Sequence, residues 1–477
     1  MDQVELAYLS GTEALARFAA RTLSPVELLD AVIARAEGVE LRVNAIADRF
    51  YAEARAAALK AEAAWGGKGP APRPLEGLNL AVKEADHLAG TRNSNGSLLH
   101  MDRVDTTTAP VVQRLLDAGA IPHMKTTVPE FCILGATHSR AFGTTRNPWN
   151  LAFGPGGSSG GSGVVLATGG ATLATGSDIG GSIRIPASAC GVVGYKAPYG
   201  RNPGPAAASI DSYAHFGVMA RTVGDVALMQ NLVSGRHPQD IVSLADTVVV
   251  PTLAPPSLKG RRIAWCMDLG AYQVDAGVAA ATRQALATLE SLGAELEEVD
   301  LGWDARIIRA TEAYFAHGWG NTMTANFARD RALMTEYAIS FVEGAARATV
   351  ENYHFARTVE VEMYASFGPL MERFDAFICP TTSVPSVPAD FIPGRTPVVI
   401  NGQEKIITDD EWAMTTPFNM LSRCPVLAVP SGFHANGVPT GIQIVGRAYD
   451  DIAVFEIGLA FEQAAPWLGT SSRPLLG

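Results

Sequence analysis

Two stretches of glycine and serine, Gly154-Pro-Gly-Gly-Ser-Ser-Gly-Gly-Ser-Gly163 and Gly176-Ser-Asp-Ile-Gly-Gly-Ser-Ile-Arg-Ile-Pro186, restrict the fold of this 477-residue chain more than any other feature. Glycine is favoured where a backbone takes unusual dihedrals or comes close to a ligand, and clustered glycines leave N–H groups free to point into one cavity. Two such loops so near each other ask for one explanation. Around them, short apolar runs at Leu78–Val82, Ile121–Met124 and Gly191–Tyr195 alternate with helix-like segments such as Val111–Ala118. That alternation predicts an α/β fold with a mixed central β-sheet flanked by helices.

The rest of the chain divides around this core. Residues 1–70 read as an N-terminal helical segment of the catalytic domain. Ser24-Pro-Val-Glu27 has the form of a capping box with proline in the first turn, and Ala52–Trp65 is an alanine-rich helical run. Residues 71–250 hold the core with both loops. Residues 251–410 read as an α/β continuation, with a strand and helix over 258–292 and a helical cover for a substrate pocket over 305–374, rich in aromatic residues and methionine. Residues 411–477 supply the last strands, Val426–Val429 and Thr440–Val445, and a closing helix.

Composition excludes several classes of function. The chain is 47% hydrophobic and 18% charged, the profile of a globular protein with a sizeable core. A formal net charge of −11 repels phosphate backbones and anionic lipid heads, so neither nucleic acid nor a membrane is expected as a partner. No cationic stretch followed by an apolar run opens the chain, and the longest apolar candidate, near 160–174, is shorter than the roughly 20 residues that span a bilayer. Five dispersed cysteines without a CxxC pair read as reduced, buried thiols, which points to the cytoplasm and to no metal.

Three chemistries compete for the loops. A phosphate cradle requires GxxxxGK[ST], and neither loop carries that lysine; a dinucleotide fingerprint fails at Ser159, where its third glycine would fall. Gly156-Gly-Ser158-Ser-Gly160 formally satisfies GxSxG, which would make Ser158 the nucleophile of a His-dependent esterase. An elbow needs a strand running into it, however, and the approach over 147–155 is rich in turns. The third reading uses both loops: Asp178-Ile-Gly-Gly-Ser182 supplies a nucleophile, Ser182, among backbone N–H groups that form an oxyanion hole, with Ser158 as its neighbour. A serine hydroxyl needs a base, and Lys83, at the end of an apolar run where desolvation disfavours the ammonium form, is the candidate.

Together, Leu80-Ala-Val-Lys83, Pro155-Gly-Gly-Ser-Ser-Gly-Gly-Ser162, Ser177-Asp-Ile-Gly-Gly-Ser-Ile-Arg-Ile-Pro186 and Cys190-Gly-Val-Val-Gly-Tyr-Lys196 resemble the amidase-signature enzymes in order and spacing. Likeness continues through Met219–Asp225, Asp375–Pro380 and Gly441–Gly446, nearly the whole chain. The resemblance implies that Ser182 is acylated, that Ser158 follows a cis peptide bond and shuttles protons, and that Lys83 is the ultimate base. It places the oxyanion hole on the N–H groups of Ile179, Gly180, Gly181 and Ser182, with no cofactor. Asp178 and Arg184 are expected to brace the loop. Arg201 is read chiefly as structural, with a place on a loop over the pocket as the alternative.

Some members of that family are transamidating subunits that act with partners and typically carry Gln after Ser-Ile-Arg; Ile185 stands there in this chain, which argues against that role. Apolar residues near Phe131–Leu134, Phe153 and the 305–374 helices lean toward bulky aryl or alkyl amides. Carbamates present the same carbonyl, so urethanase activity is the close alternative. A homodimer is compatible with this reading.

Overall fold

The computed structural model describes residues 2–320, 323, 330–467, 473, 474 and 476. Its framework is a single eleven-stranded sheet. In chain order the strands are β1 (Ile46–Arg49), β2 (Asn79–Lys83), β3 (Ile121–Thr126), β4 (Leu173–Asp178), β5 (Val193–Lys196), β6 (His215–Ala220), β7 (Arg262–Trp265), β8 (Glu295–Glu298), β9 (Ala376–Pro380), β10 (Val426–Phe433) and β11 (Pro439–Val445). Across the sheet they run β1-β3-β2-β4-β6-β5-β10-β11-β9-β7-β8. Pairs β2–β3, β2–β4, β9–β7 and β7–β8 are parallel and the others antiparallel, so the sheet is mixed, with helices on both faces. All four stretches separated in the sequence contribute strands to this one sheet.

Burial on both faces explains why the central strands read as continuous apolar runs: β2 and β4 are buried along their whole length. The two-residue period of a strand then sorts their side chains. Leu80 and Val82 point into a core shared with Leu28, Val32, Leu115, Met229 and Phe455. Ala81 points to the other face, among Val164, Val165, Ala187 and Cys190 of the helices Gly160–Ala167 and Arg184–Cys190. Lys83 has the parity of Ala81, so strand geometry alone turns it toward the helices that follow the two glycine loops.

The capping box at Ser24 is present: Val26 N–H donates to Ser24 Oγ at 3.0 Å and Ser24 N–H to Glu27 Oε2 at 2.8 Å, opening the helix Pro25–Val43. The alanine-rich helix spans Tyr51–Trp65. Between them, where the sequence suggests only helix, β1 forms the sheet edge, paired antiparallel with β3. Its four residues are too few to show a strand period. The cover contains helices Arg306–Phe315, Glu336–Ala345 and Val350–Met371, with a π-helical turn at Ala316–Gly320; residues 321–322 and 324–329 of that region lie outside the described residues. A hairpin of Pro397–Ile400 and Gln403–Ile406, unforeseen from the proline-rich stretch, follows. The closing helix is Asp451–Ala464. Among the described residues no helix is long and apolar enough to cross a membrane.

Candidate active site

The parallel strands β2 and β4 are in register at Ala81 and Ala174. From there β2 reaches its carboxyl end after two residues and β4 after four, on the side of an α/β sheet where ligands bind. Lys83 ends β2, and the glycine-rich loop begins where β4 ends at Asp178. Lys83 Nζ donates to Ser158 Oγ at 2.8 Å and to Ser177 Oγ at 2.8 Å. Lys83 and Ser158 are essentially sealed from solvent, at 0% and 1% exposure. The Gly157–Ser158 peptide bond is cis. Ser182 lies on the neighbouring loop and is partly accessible. Ser159 N–H donates to Ser182 O at 3.2 Å, which ties the loops together. Among the described residues no hydrogen bond joins Ser182 Oγ to Ser158 Oγ. Catalytic hydrogen bonds are commonly loose before substrate arrives.

The loop holding Ser182 is braced from below. Asp178 accepts from Gly181 N–H at 2.9 Å and Ile183 N–H at 3.2 Å, and from Arg184 Nε at 2.9 Å and Nη2 at 2.8 Å. The remaining Arg184 donors reach Thr415 O at 2.8 Å, Gln443 Oε1 at 2.6 Å and Asn419 Oδ1 at 2.6 Å, so the whole guanidinium fork is used. Burial opposes charge on Asp178, but the Arg184 guanidinium and Asn419 amide outweigh it and hold the carboxyl well below its usual range. The expected bracing role of both residues is what the structure shows. Thr415 and Thr416 hydroxyls donate to Gly180 O at 2.7 and 3.2 Å, so a segment distant in sequence clamps the same loop.

These bonds sort the four N–H groups proposed for an oxyanion hole. Gly181 N–H is already engaged by Asp178. Among the described residues, the N–H groups of Ile179, Gly180 and Ser182 donate no hydrogen bond, which leaves them available to a ligand. Gly181 has φ +121°, and a Cβ there would lie 2.0 Å from Thr415 Oγ1. Only glycine fits both the dihedral and the space.

Several neighbours have no signal in the sequence. Ser177, which no spacing rule singles out near the end of β4, bonds Lys83 directly. Thr175 accepts from Lys83 N–H at 3.0 Å and donates to Asp86 Oδ2 at 2.6 Å, placing a carboxyl behind the lysine. Burial raises Asp86 above the ordinary carboxylate range, with the Lys83 charge opposing it. The Cys132 thiol lies against Ser158 and 3.3 Å from Asn95 Oδ1. Arg201, by contrast, does not cover a pocket. It is a buried ion-pair partner of Asp451, 2.9 Å away, because the loop carrying it packs inward against the start of the closing helix. His434, the late histidine an esterase would need, pairs with Asp275 at 3.1 Å and does not contact Ser158. Among the described residues, no group of three His, Cys, Asp or Glu is arranged to hold a metal.

A cavity of about 680 Å³ has two wall residues, Leu134 and Phe315, that touch the glycine loops. Phe315, on its wall, has its Cζ 3.2 Å from where a Gly180 Cβ would stand, and the carbonyl of Leu134, another wall residue, is 2.5 Å from the corresponding point at Gly157. Ile133, Phe341 and Phe355 extend the apolar lining. Phe153, expected nearby, instead bridges to Pro388.

Comparisons with known proteins fit this geometry. The family model described as Amidase matches residues 27–455. An acylamidase from Rhodococcus erythropolis is 33% identical over 477 residues, covering 98% of each chain. The A-type subunit of glutamyl-tRNA(Gln) amidotransferase from Synechococcus sp. (strain CC9605) is 33% identical over 478 residues, covering 95% of each. The crystal structure of a bacterial aryl acylamidase of the amidase-signature family superposes with a TM-score of 0.88 at 26% identity, over 96% of this chain and 97% of that one. With fold, loops and sequence in agreement along its length, the chain belongs to the amidase-signature family and is an amide-hydrolysing enzyme.

Proposed function

We propose that the protein hydrolyses bulky aryl or alkyl amides through an acyl-enzyme on Ser182. The observation that carries this is the buried 2.8 Å bond from Lys83 to Ser158, beneath a loop whose Ile179, Gly180 and Ser182 N–H groups are unclaimed. In the forward half, Ser182 Oγ attacks the carbonyl while its proton passes through the Ser158 hydroxyl to neutral Lys83. The loop N–H groups receive the developing oxyanion. The C–N bond then breaks, the proton returns through Ser158 to the leaving amine, and Ser182 remains as an ester. Water enters by the same relay and releases the acid.

The apolar cavity beside both loops supports a bulky substrate, and so does the similarity to acylamidases. Hydrolysis is favoured over partner-dependent transamidation by Ile185, which is buried against Gly156 and Gly181 where transamidating members typically carry glutamine. Five free cysteines suit a reducing cytoplasm.

The test is a screen of anilides, aliphatic amides and aryl carbamates with wild type, Ser182→Ala, Ser158→Ala and Lys83→Ala, together with mass-spectrometric mapping of a fluorophosphonate adduct. Ser182→Ala should abolish turnover and labelling, and the other two should each lower kcat at least about a hundredfold. An adduct on Ser158, or activity surviving in Ser182→Ala, sinks the assignment. Faster cleavage of carbamates than of matched amides would move the preferred substrate to urethanes without changing the residues.

A further inference from the structure

Phe315 stands where the cavity meets the loop that carries Ser182. It lines the cavity, and its Cζ and Cε2 lie 3.2 and 3.5 Å from where a Gly180 Cβ would be. The ring therefore rests against the backbone that presents the unclaimed N–H groups of Ile179 and Gly180. Its place is fixed from behind. Phe315 ends the helix Arg306–Phe315, and the chain then enters the π-helical turn Ala316–Gly320, a feature that re-aims side chains and recurs at functional sites. Ala345 fills the space that a side chain on Gly320 would need, so the turn is packed hard against the helix Glu336–Ala345. The Phe315 ring meets Tyr213 and Tyr314 edge-on, with centroids 6.3 and 6.2 Å away and interplanar angles of 82° and 73°. Those two tyrosines stack at 3.7 Å and are tied down in turn: Tyr314 Oη donates to Asp211 Oδ1 at 2.7 Å and Tyr213 Oη to Glu360 Oε2 at 3.3 Å. Both tyrosines are buried, whereas Phe315 is half-buried and is the member of the stack that lines the cavity. A ring backed by close-packed aromatic neighbours is a wall that yields little.

We propose that Phe315 determines how broad a group the enzyme accepts next to the scissile carbonyl. The inference rests on the acyl-enzyme reading above and narrows its substrate class. With the carbonyl oxygen among the N–H groups of Ile179, Gly180 and Ser182, the carbonyl carbon sits close to the Gly180 backbone, and one of its two substituents faces the Phe315 ring. A substituent that is slender at the atom next to the carbonyl or the nitrogen passes along the ring, and one branched at that atom collides with it. Bulk further from the scissile bond meets the rest of the 680 Å³ cavity and carries no such penalty. The preferred amide is thus bulky at a distance and slender beside the C–N bond. An apolar pocket discriminates by about 10–200-fold for a single methylene, which sets the scale of the effect.

Two pairs of isomeric amides test the proposal and show which side of the scissile bond faces the ring. The 4-nitroanilides of pentanoic and 2,2-dimethylpropanoic acid differ in branching on the acyl side; the N-acetyl derivatives of 4-ethylaniline and 2-ethylaniline differ in bulk beside the nitrogen. The intrinsic reactivity of each isomer is the same for every variant and cancels when variants are compared. In at least one pair, Phe315→Ala should raise the kcat/KM ratio of the broad isomer to the slender one by about tenfold or more over wild type, and Phe315→Leu by about threefold or more. A ring that serves only as packing would, on removal, slow both isomers together and leave the ratio unmoved. Cleavage of both pairs with ratios within about twofold of wild type in both variants removes the role of Phe315 and leaves the acyl-enzyme reading standing. If Phe315→Ala does not fold, Phe315→Leu decides alone. The rates at which 4-methyl- and 2-methylbenzenesulfonyl fluoride form an adduct on Ser182, followed by mass spectrometry, require no turnover. The ratio of the 2-methyl to the 4-methyl rate should rise about threefold or more in either variant, and an unchanged ratio overturns the proposal. If wild type cleaves neither pair, the amide substrates proposed above are wrong and the adduct rates decide the role of Phe315; if no adduct forms on Ser182, both readings fall.

Discussion

Arg184→Leu probes the support of the loop that carries Ser182. The Arg184 side chain is wholly buried, and its guanidinium bonds Asp178, Thr415 O, Gln443 and Asn419. Leucine fills part of the volume but leaves Asp178 with neutral donors alone, the N–H groups of Gly181, Ile183 and residue 184 and the Asn419 amide. Breaking a buried pair from one side costs about 3–5 kcal/mol, a large share of the roughly 5–15 kcal/mol by which folded proteins are stable. The cost should depend on pH. In wild type the folded Asp178 titrates well below the ordinary aspartate value near 3.9, so its contribution is complete above about pH 4 and is lost only as pH falls through the folded value. Without the guanidinium, burial dominates and raises the carboxyl; stability from the group is then present below about pH 4 and lost as pH rises through the new value. The deficit of Arg184→Leu should therefore widen between pH 4.5 and pH 7.5. Asp178→Asn/Arg184→Leu, which has no carboxyl to titrate, should show a flat deficit. Urea unfolding followed by tryptophan fluorescence at three pH values measures both. A deficit below about 1 kcal/mol, or one equally large at every pH, would refute the reasoning.

Two other perturbations test the same architecture. Gly181→Ala forces a side chain into φ +121° and against Thr415 Oγ1 at 2.0 Å; strain and overpacking of about 1–3 kcal/mol each should lower the urea midpoint and suppress fluorophosphonate labelling of Ser182, and wild-type labelling would show that the loop tolerates a Cβ. Lys196 is wholly buried, and burial, aided by the Arg184 charge, brings it down to about 7. The unfolded chain keeps that proton to about pH 10, so wild-type stability should climb from pH 7 toward pH 10, whereas Lys196→Met should show a shallower rise. Parallel stability profiles for the two proteins over that range would contradict the assignment.

What the sequence discloses about this enzyme follows from how far apart the interacting residues are. Lys83 is legible because an apolar run delivers it to a strand end, and Ser158 and Ser182 because their glycines are local demands of the backbone. The mixed sheet follows from strand and helix alternation, but β1 does not, since four residues cannot display a period, and neither does the hairpin after the proline-rich stretch. Long-range partners are invisible for a different reason. Thr415 and Asn419 act on Gly180 and Arg184 across more than two hundred residues, and Arg201 takes its meaning from Asp451. The cavity is the extreme case: Gly135 N–H meets Asp409 across 274 positions. That wall forms only where the 409–416 segment meets the loop after Phe131. Ser158 and Ser182 sit in compact motifs, whereas Lys83 reaches Ser158 across 75 positions because the end of β2 lies beside both glycine loops. The cavity wall arises where remote segments meet, and for that reason the glycine loops can be read from the sequence while the pocket beside them requires the folded chain.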